Sequence, residues 1–122
     1  MDFNAYILDW TMNNYAQLKA KLTDSNLACA KEGESEHIRV AVPFERVEIF
    51  ALLCQAHLNS PTSYVDVQYP KDRKTVVIFR QETFVISSQE ENDRVKKWAI
   101  DLGLPPGQAE WATSYQGRVG RE

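Results

Sequence analysis

At 122 residues, with 43% hydrophobic and 25% charged residues, the chain has the size and composition of one globular domain and not those of a disordered segment. A formal charge of −3 weighs against a dedicated nucleic-acid binder, and no stretch reaches the roughly 18 continuous apolar residues of a membrane span. Two cysteines cannot build a disulfide framework, and the acidic opening MDFNAYILDW does not read as a secretory leader, so a reducing cytoplasm is the setting expected.

In chain order, residues 3–22 place Phe3, Tyr6, Ile7, Trp10, Tyr15, Leu18 and Leu22 at helical spacings, interrupted at Asn13 and Asn14, and predict a first helix. Residues 27–31 and 36–42 flank a turn containing Gly33 and predict a hairpin, with Ile38, Val40 and Val42 alternating with His37, Arg39 and Ala41. Pro43 then suits the start of a helix over 44–58, carrying Val47, Phe50, Ala51, Cys54 and Leu58, with a strand through 47–53 as the competing reading. Asn59-Ser60-Pro61 should end it, because the residue before a proline avoids helical geometry.

From residue 63 the period changes to two. Segments 63–69, 74–80 and 83–87 predict three antiparallel strands. Ser88 and Glu91 form a capping box that opens a helix with Val95, Trp98, Ala99 and Leu102 on one face, ended by Gly103. Pro105-Pro106 begin a short last helix over 106–115, and 116–122 is expected to be a flexible tail. The expected architecture is a single α+β domain over 1–115, in the order α-β-β-α-β-β-β-α-α. Its antiparallel sheet has four to five strands, and its helices pack mainly on one face.

The chain has two cysteines and two histidines, and Cys54 and His57 stand three apart in CQAH. A structural zinc site needs four ligands converging tetrahedrally. With the hairpin turn centred on Glu34, Cys29 lies opposite Ile38 on the apolar side and His37 points to the other face with Arg39, so Cys29, His37, Cys54 and His57 are not expected to meet. A Cys54 nucleophile activated by His57 is disfavoured as well, since a thiol inside an apolar helical arc is held protonated. No metal or other cofactor is expected. There is no Gly-rich phosphate loop, and the basic clusters at Lys71, Arg73, Lys74 and at Arg94, Lys96, Lys97 are interleaved with acids.

Segment 74–80 is apolar on both faces, with Val76 and Ile78 on one and Val77 and Phe79 on the other, so both faces need a cover. Helices can supply one; a partner or a second copy is the candidate for the other. Tyr64 and Asp66 lie on the polar side of the preceding strand, and Leu104, Trp111 and Tyr115 offer apolar and aromatic anchors near the C-terminus. The function expected is therefore a small non-enzymatic protein-binding factor of adaptor, inhibitor, immunity or chaperone type, acting as a homodimer. Its expected interface residues are Tyr64, Asp66, Val77, Phe79, Leu104, Trp111 and Tyr115. One alternative is a small enzyme assembled from scattered groups such as Asp66, Glu82, His57 and Arg80; the other is a zinc-stabilised binding domain.

Overall fold

The computed structural model describes residues 3–31, 37–108 and 111. Among them six strands form one antiparallel sheet: β1 (Ala5–Ile7), β2 (Ala28–Lys31), β3 (Ile38–Ala41), β4 (Tyr64–Tyr69), β5 (Lys74–Phe79) and β6 (Thr83–Ile86). Their spatial order is β2-β3-β1-β4-β5-β6. Three α-helices among these residues, α1 (Tyr15–Asp24), α2 (Val47–His57) and α3 (Gln89–Leu102), complete the α+β architecture. The strand count exceeds the expected four to five because the N-terminal segment joins the sheet.

That segment is the main departure from the helix predicted over 3–22. Its apolar residues satisfy helical spacing and alternation alike, and the slot between β3 and β4 decides between them. Ala5 pairs with Val40 on one side and Val67 on the other, burying Ala5 and Ile7 while Tyr6 faces out. The Asn4 carboxamide extends the ladder: its nitrogen donates to the Val42 carbonyl at 3.0 Å, and its oxygen accepts the Val42 N–H at 2.8 Å. A single 3-10 turn over Asp9–Thr11 follows, and α1 starts only after Asn14, whose φ of 51° is a left-handed conformation that asparagine tolerates.

The helix expected over 44–58 is present as a 3-10 turn at Phe44–Arg46 leading into α2, so the strand reading of 47–53 is excluded. The three later strands match the period-two segments within a residue or two. The hairpin of β2 and β3 is shifted from the expected register: Cys29 sits opposite Val40, and Lys31 opposite Ile38. The shift is two residues, so every side chain keeps its face.

Register assigns the two faces. Ala5, Ile7, Ile38, Val40, Val67, Val76 and Ile78 point to the upper face, where they form one core with Leu18 and Leu22 of α1 and Phe50, Ala51 and Cys54 of α2. Val77, Phe79 and Ile86 point to the lower face and pack against Val95 and Ala99 of α3, Leu104 and Trp111. α1 and α2 thus pack on the upper face and α3 on the lower, and the chain itself supplies the second cover that β5 requires.

Two local devices fix the lower layer. The Ser88 hydroxyl accepts the Glu91 N–H at 3.1 Å, as the capping box predicts, but Glu91 answers one residue earlier than expected, accepting from the Ser87 N–H at 2.7 Å and the Ser87 hydroxyl at 2.8 Å. At the other end of α3, Gly103 adopts φ 124°, open to glycine and strained for other residues, and turns the chain back under the sheet. The buried Asn92 side chain then accepts the Trp111 N–H at 3.1 Å. Of the last helix expected over 106–115, Pro106–Gln108 is a 3-10 turn; the remainder except Trp111, with Tyr115, the hairpin turn at 32–36 and the tail at 116–122, lies outside the described residues.

Candidate recognition surface

Among the described residues, α3 and Trp111 cover the lower face only around β4, β5 and β6. Beneath β1, β3 and β4 an open cleft of about 790 Å³ remains, lined by Phe3, Asn4, Tyr6, Arg39, Asp66 and Gln68 together with the 69–72 turn. Alternation builds this floor: Tyr6 stands opposite Arg39 across the β1–β3 ladder, and Asp66 and Gln68 project from the same side of β4. The Gln68 amide nitrogen donates to the Asp66 carboxylate at 3.1 Å, leaving that carboxylate oriented on the floor. The Arg39 guanidinium lies 5.5 Å from the centre of the Phe3 ring, a cation–π arrangement. At the rim, the turn after β4 brings Lys71 and Asp72, so the cleft offers charges of both signs.

An aromatic group adjoins the cleft. His37 meets Tyr6 edge-on at 5.7 Å and Trp10 edge-on at 4.9 Å between ring centroids. Its Nδ1 stands 3.0 Å from the Asp9 carboxylate and 3.4 Å from the Asp9 amide nitrogen. One nitrogen cannot donate to the first and accept from the second; the shorter contact makes Nδ1–H a donor to the carboxylate, which orients the ring between its aromatic neighbours. Trp10 is 65% exposed, Tyr6 42% and Phe3 36%, an unusual concentration of large aromatic area on one side of a small protein.

The residues expected at an interface divide between surface and interior. Asp66 belongs to the open floor. Tyr64 is half-buried at its boundary, edge-on to Trp111 at 5.5 Å, and burial pushes its phenol up, helped by the Asp66 charge. Val77, Phe79, Leu104 and Trp111 are interior, each at most 3% exposed, because α3 and the segment after it close over them. They act on recognition only through the fold. Tyr115 lies outside the described residues. Tyr6, Trp10, Phe3 and Arg39 were not singled out from sequence; the signal that could have found them is the polar side of the 38–42 alternation, extended to whichever strand pairs beside it.

The four soft donors stay apart. Cys29 is on edge strand β2 with its Sγ 3.4 Å from the Leu27 carbonyl, and His37 faces the other side of the sheet. Cys54 is fully buried under α2, and desolvation pushes its thiol far above the ordinary range. His57 is buried, and both ring nitrogens are engaged: Nδ1–H donates to the Asn13 carbonyl at 2.7 Å, and Nε2 accepts from the Lys21 ammonium at 3.1 Å. No group of three or more His, Cys, Asp or Glu among the described residues is placed to hold a metal ion. The groups named for an enzyme are likewise dispersed, with His57 above the sheet, Asp66 below it, and Arg80 and Glu82 at the β5–β6 turn.

Elsewhere on the β4 hairpin, burial pushes the Tyr69 phenol up to about 12, and its hydroxyl donates to the Val42 carbonyl at 2.8 Å, closing the upper side of the sheet behind the cleft. No helix among the described residues is long and apolar enough to cross a membrane. No protein-family model, curated protein or solved structure significantly matches this chain.

Proposed function

We propose that this chain is a small cytoplasmic, non-enzymatic protein-binding factor that works as a homodimer and recognises its partner through the open lower face. The observation that carries this reading is the concentration of Phe3, Tyr6 and Trp10 beside Arg39 and Asp66 on a face left uncovered by the helices. Tyrosine, tryptophan and arginine are the residues that dominate binding energy at interfaces, because each combines large contact area with a polar handle. The fixed Gln68–Asp66 pair and the His37–Asp9 pair supply oriented polar groups among them. An enzyme reading has less support, since of Asp66, Glu82, His57 and Arg80 only Asp66 lines the cleft.

The test is site-specific photo-cross-linking in the native host, with the cross-linker at Gln68 and, as control, at Lys97 on the outer side of α3. A defined adduct from Gln68 that is absent from Lys97, and that falls at least about tenfold in a Tyr6→Ala, Trp10→Ala chain, is the expected result. Equal adducts from both positions, or adducts indifferent to the aromatic substitutions, would overturn the proposal.

A further inference from the structure

β6 is the end strand of the sheet, and no described strand pairs with its outer side. Its orientation follows from the hairpin. The Phe79 N–H donates to the Glu82 carbonyl at 2.8 Å across the two-residue loop Arg80-Gln81. In an antiparallel ladder hydrogen-bonded pairs alternate with non-bonded ones, so Phe84 and Ile86 exchange their bonds with Val77 and Thr75 of β5. Thr83 and Val85 therefore aim both backbone groups outward. The next outward amide, at Ser87, is already taken by the Glu91 carboxylate. The available edge is thus one short ladder, Thr83 and Val85, with a definite stop.

The surroundings of that ladder suit burial. Val85 is 47% exposed, on the upper face. The Gln55 amide nitrogen donates to the Phe79 carbonyl at 3.0 Å and to the Thr83 hydroxyl at 3.1 Å, which fixes α2 above this edge. One turn earlier on the same helix Leu52 is 64% exposed, with Ile49 beside it at 45%. An apolar strand edge bordered by exposed aliphatic side chains is what isolated proteins avoid presenting.

We infer that the outer edge of β6 is the seam at which two copies of this chain associate, antiparallel, with the two-fold axis at Phe84. Residue pairs across such a seam must share a face, which requires an even sum of residue numbers. Phe84 on the axis places Thr83 of each copy against Val85 of the other, and these two residues exchange both backbone bonds using only groups that are open. Continued past the ladder, the same register brings Arg80 of each copy toward Ser88 of the other, beside the first turn of α3, where exposed Glu90 lies 3.6 Å from Arg94. Arg80, two residues from the exposed Glu82, then shares Glu90 of the other copy with Arg94, twice by symmetry. That self-complementarity selects a second copy over an unrelated peptide, which would have to supply both charges in the matching order.

This inference rests on the homodimer named in the proposed function but not on its recognition face. The experiment is sedimentation equilibrium of the purified full chain, with amide exchange followed across a concentration series. Expected are a dimer and a concentration-dependent slowing of exchange at Thr83 and Val85. Val85→Pro removes an outward N–H that β5 does not use, and it should weaken association at least about tenfold. Arg80→Glu or Glu90→Arg alone should weaken it, and the two together should restore it; this pair decides the matter if Val85→Pro fails to fold. A monomer at every concentration, including that of a peptide-binding edge, would overturn the seam, as would a dimer indifferent to both sets of variants. Loss of the dimer with retained cross-linking from Gln68 leaves the recognition face standing, so the two ideas fail separately.

Discussion

Along β5 both faces of the sheet are covered, by α2 above and by α3 with Trp111 below, whereas beneath β1 and β3 the lower face lies open among the described residues. The difference is written in the strands. β5 runs Thr75-Val76-Val77-Ile78-Phe79, all buried, while β3 alternates buried Ile38 and Val40 with exposed Arg39 and partly exposed Ala41. A strand that is apolar on both sides has to recruit a second layer; one that alternates is stable with a single layer and leaves its other side for contact with something else. One end of the sheet is devoted to stability and the other retains a usable surface.

The sharpest way to break that comparison is to cut a large side chain from each end. Phe79→Ala should cost about 3–5 kcal/mol in denaturant unfolding, because a ring buried among Tyr64, Phe84, Trp98 and Trp111 leaves a cavity. Tyr6→Ala, on the open end, should stay within about 0.5 kcal/mol of the parent. Equal costs would mean that the open face is core after all.

A smaller effect sharpens the role of the second layer. Asn92→Ala leaves the Trp111 N–H buried without that acceptor and should cost about 1–3 kcal/mol. Hydrogen exchange at the Trp111 amide should accelerate by more than exchange in β1, since only the lower layer is released. Uniform acceleration would show that the two layers open together.

The smallest effect is a pH dependence confined to the entry of α3. The Ser87 backbone N–H, then the Ser87 hydroxyl, hold the Glu91 carboxyl below its ordinary value of 4.5. A group whose folded value is depressed contributes stability above its unfolded value and loses it as pH falls through the folded one. The stability advantage of the parent over Glu91→Gln should therefore be complete at neutral pH and shrink as the pH drops below 4.5. An advantage that holds constant to lower pH would place the effect in packing and not in the charged cap.

How much of this was legible from the residues depends on distance along the chain. The meander of β4 to β6 and the start of α3 were readable because their signals are local, a period of two and a serine three residues before a glutamate, whereas the apolar run of α2 fits a strand as well as a helix. The need for two covers on β5 was readable as well. What covers it was not, because Trp111 reaches Phe79 across more than thirty residues, and Gly103 announces a turn without saying to which face the chain returns. β1 was misread for the opposite reason: three residues fit either period, and only pairing with Val40 and Val67 resolves the choice. The open face, which borrows Tyr6 from β1, could not be assembled until that strand was placed.

β1 has a consequence for how the molecule reaches its structure. Among the described strands it is the one that joins the β2–β3 hairpin to the β4–β5–β6 meander in the sheet. The hairpin and the meander each close over short loops, but Ala5 must find Val67 across about half of the chain, so its docking carries the largest loop-closure cost. The first strand in chain order therefore has the most distant partner to find. Until it docks, β3 and β4 each present a bare edge in the middle of the future sheet, which makes β1 the guard against edge-to-edge misassembly.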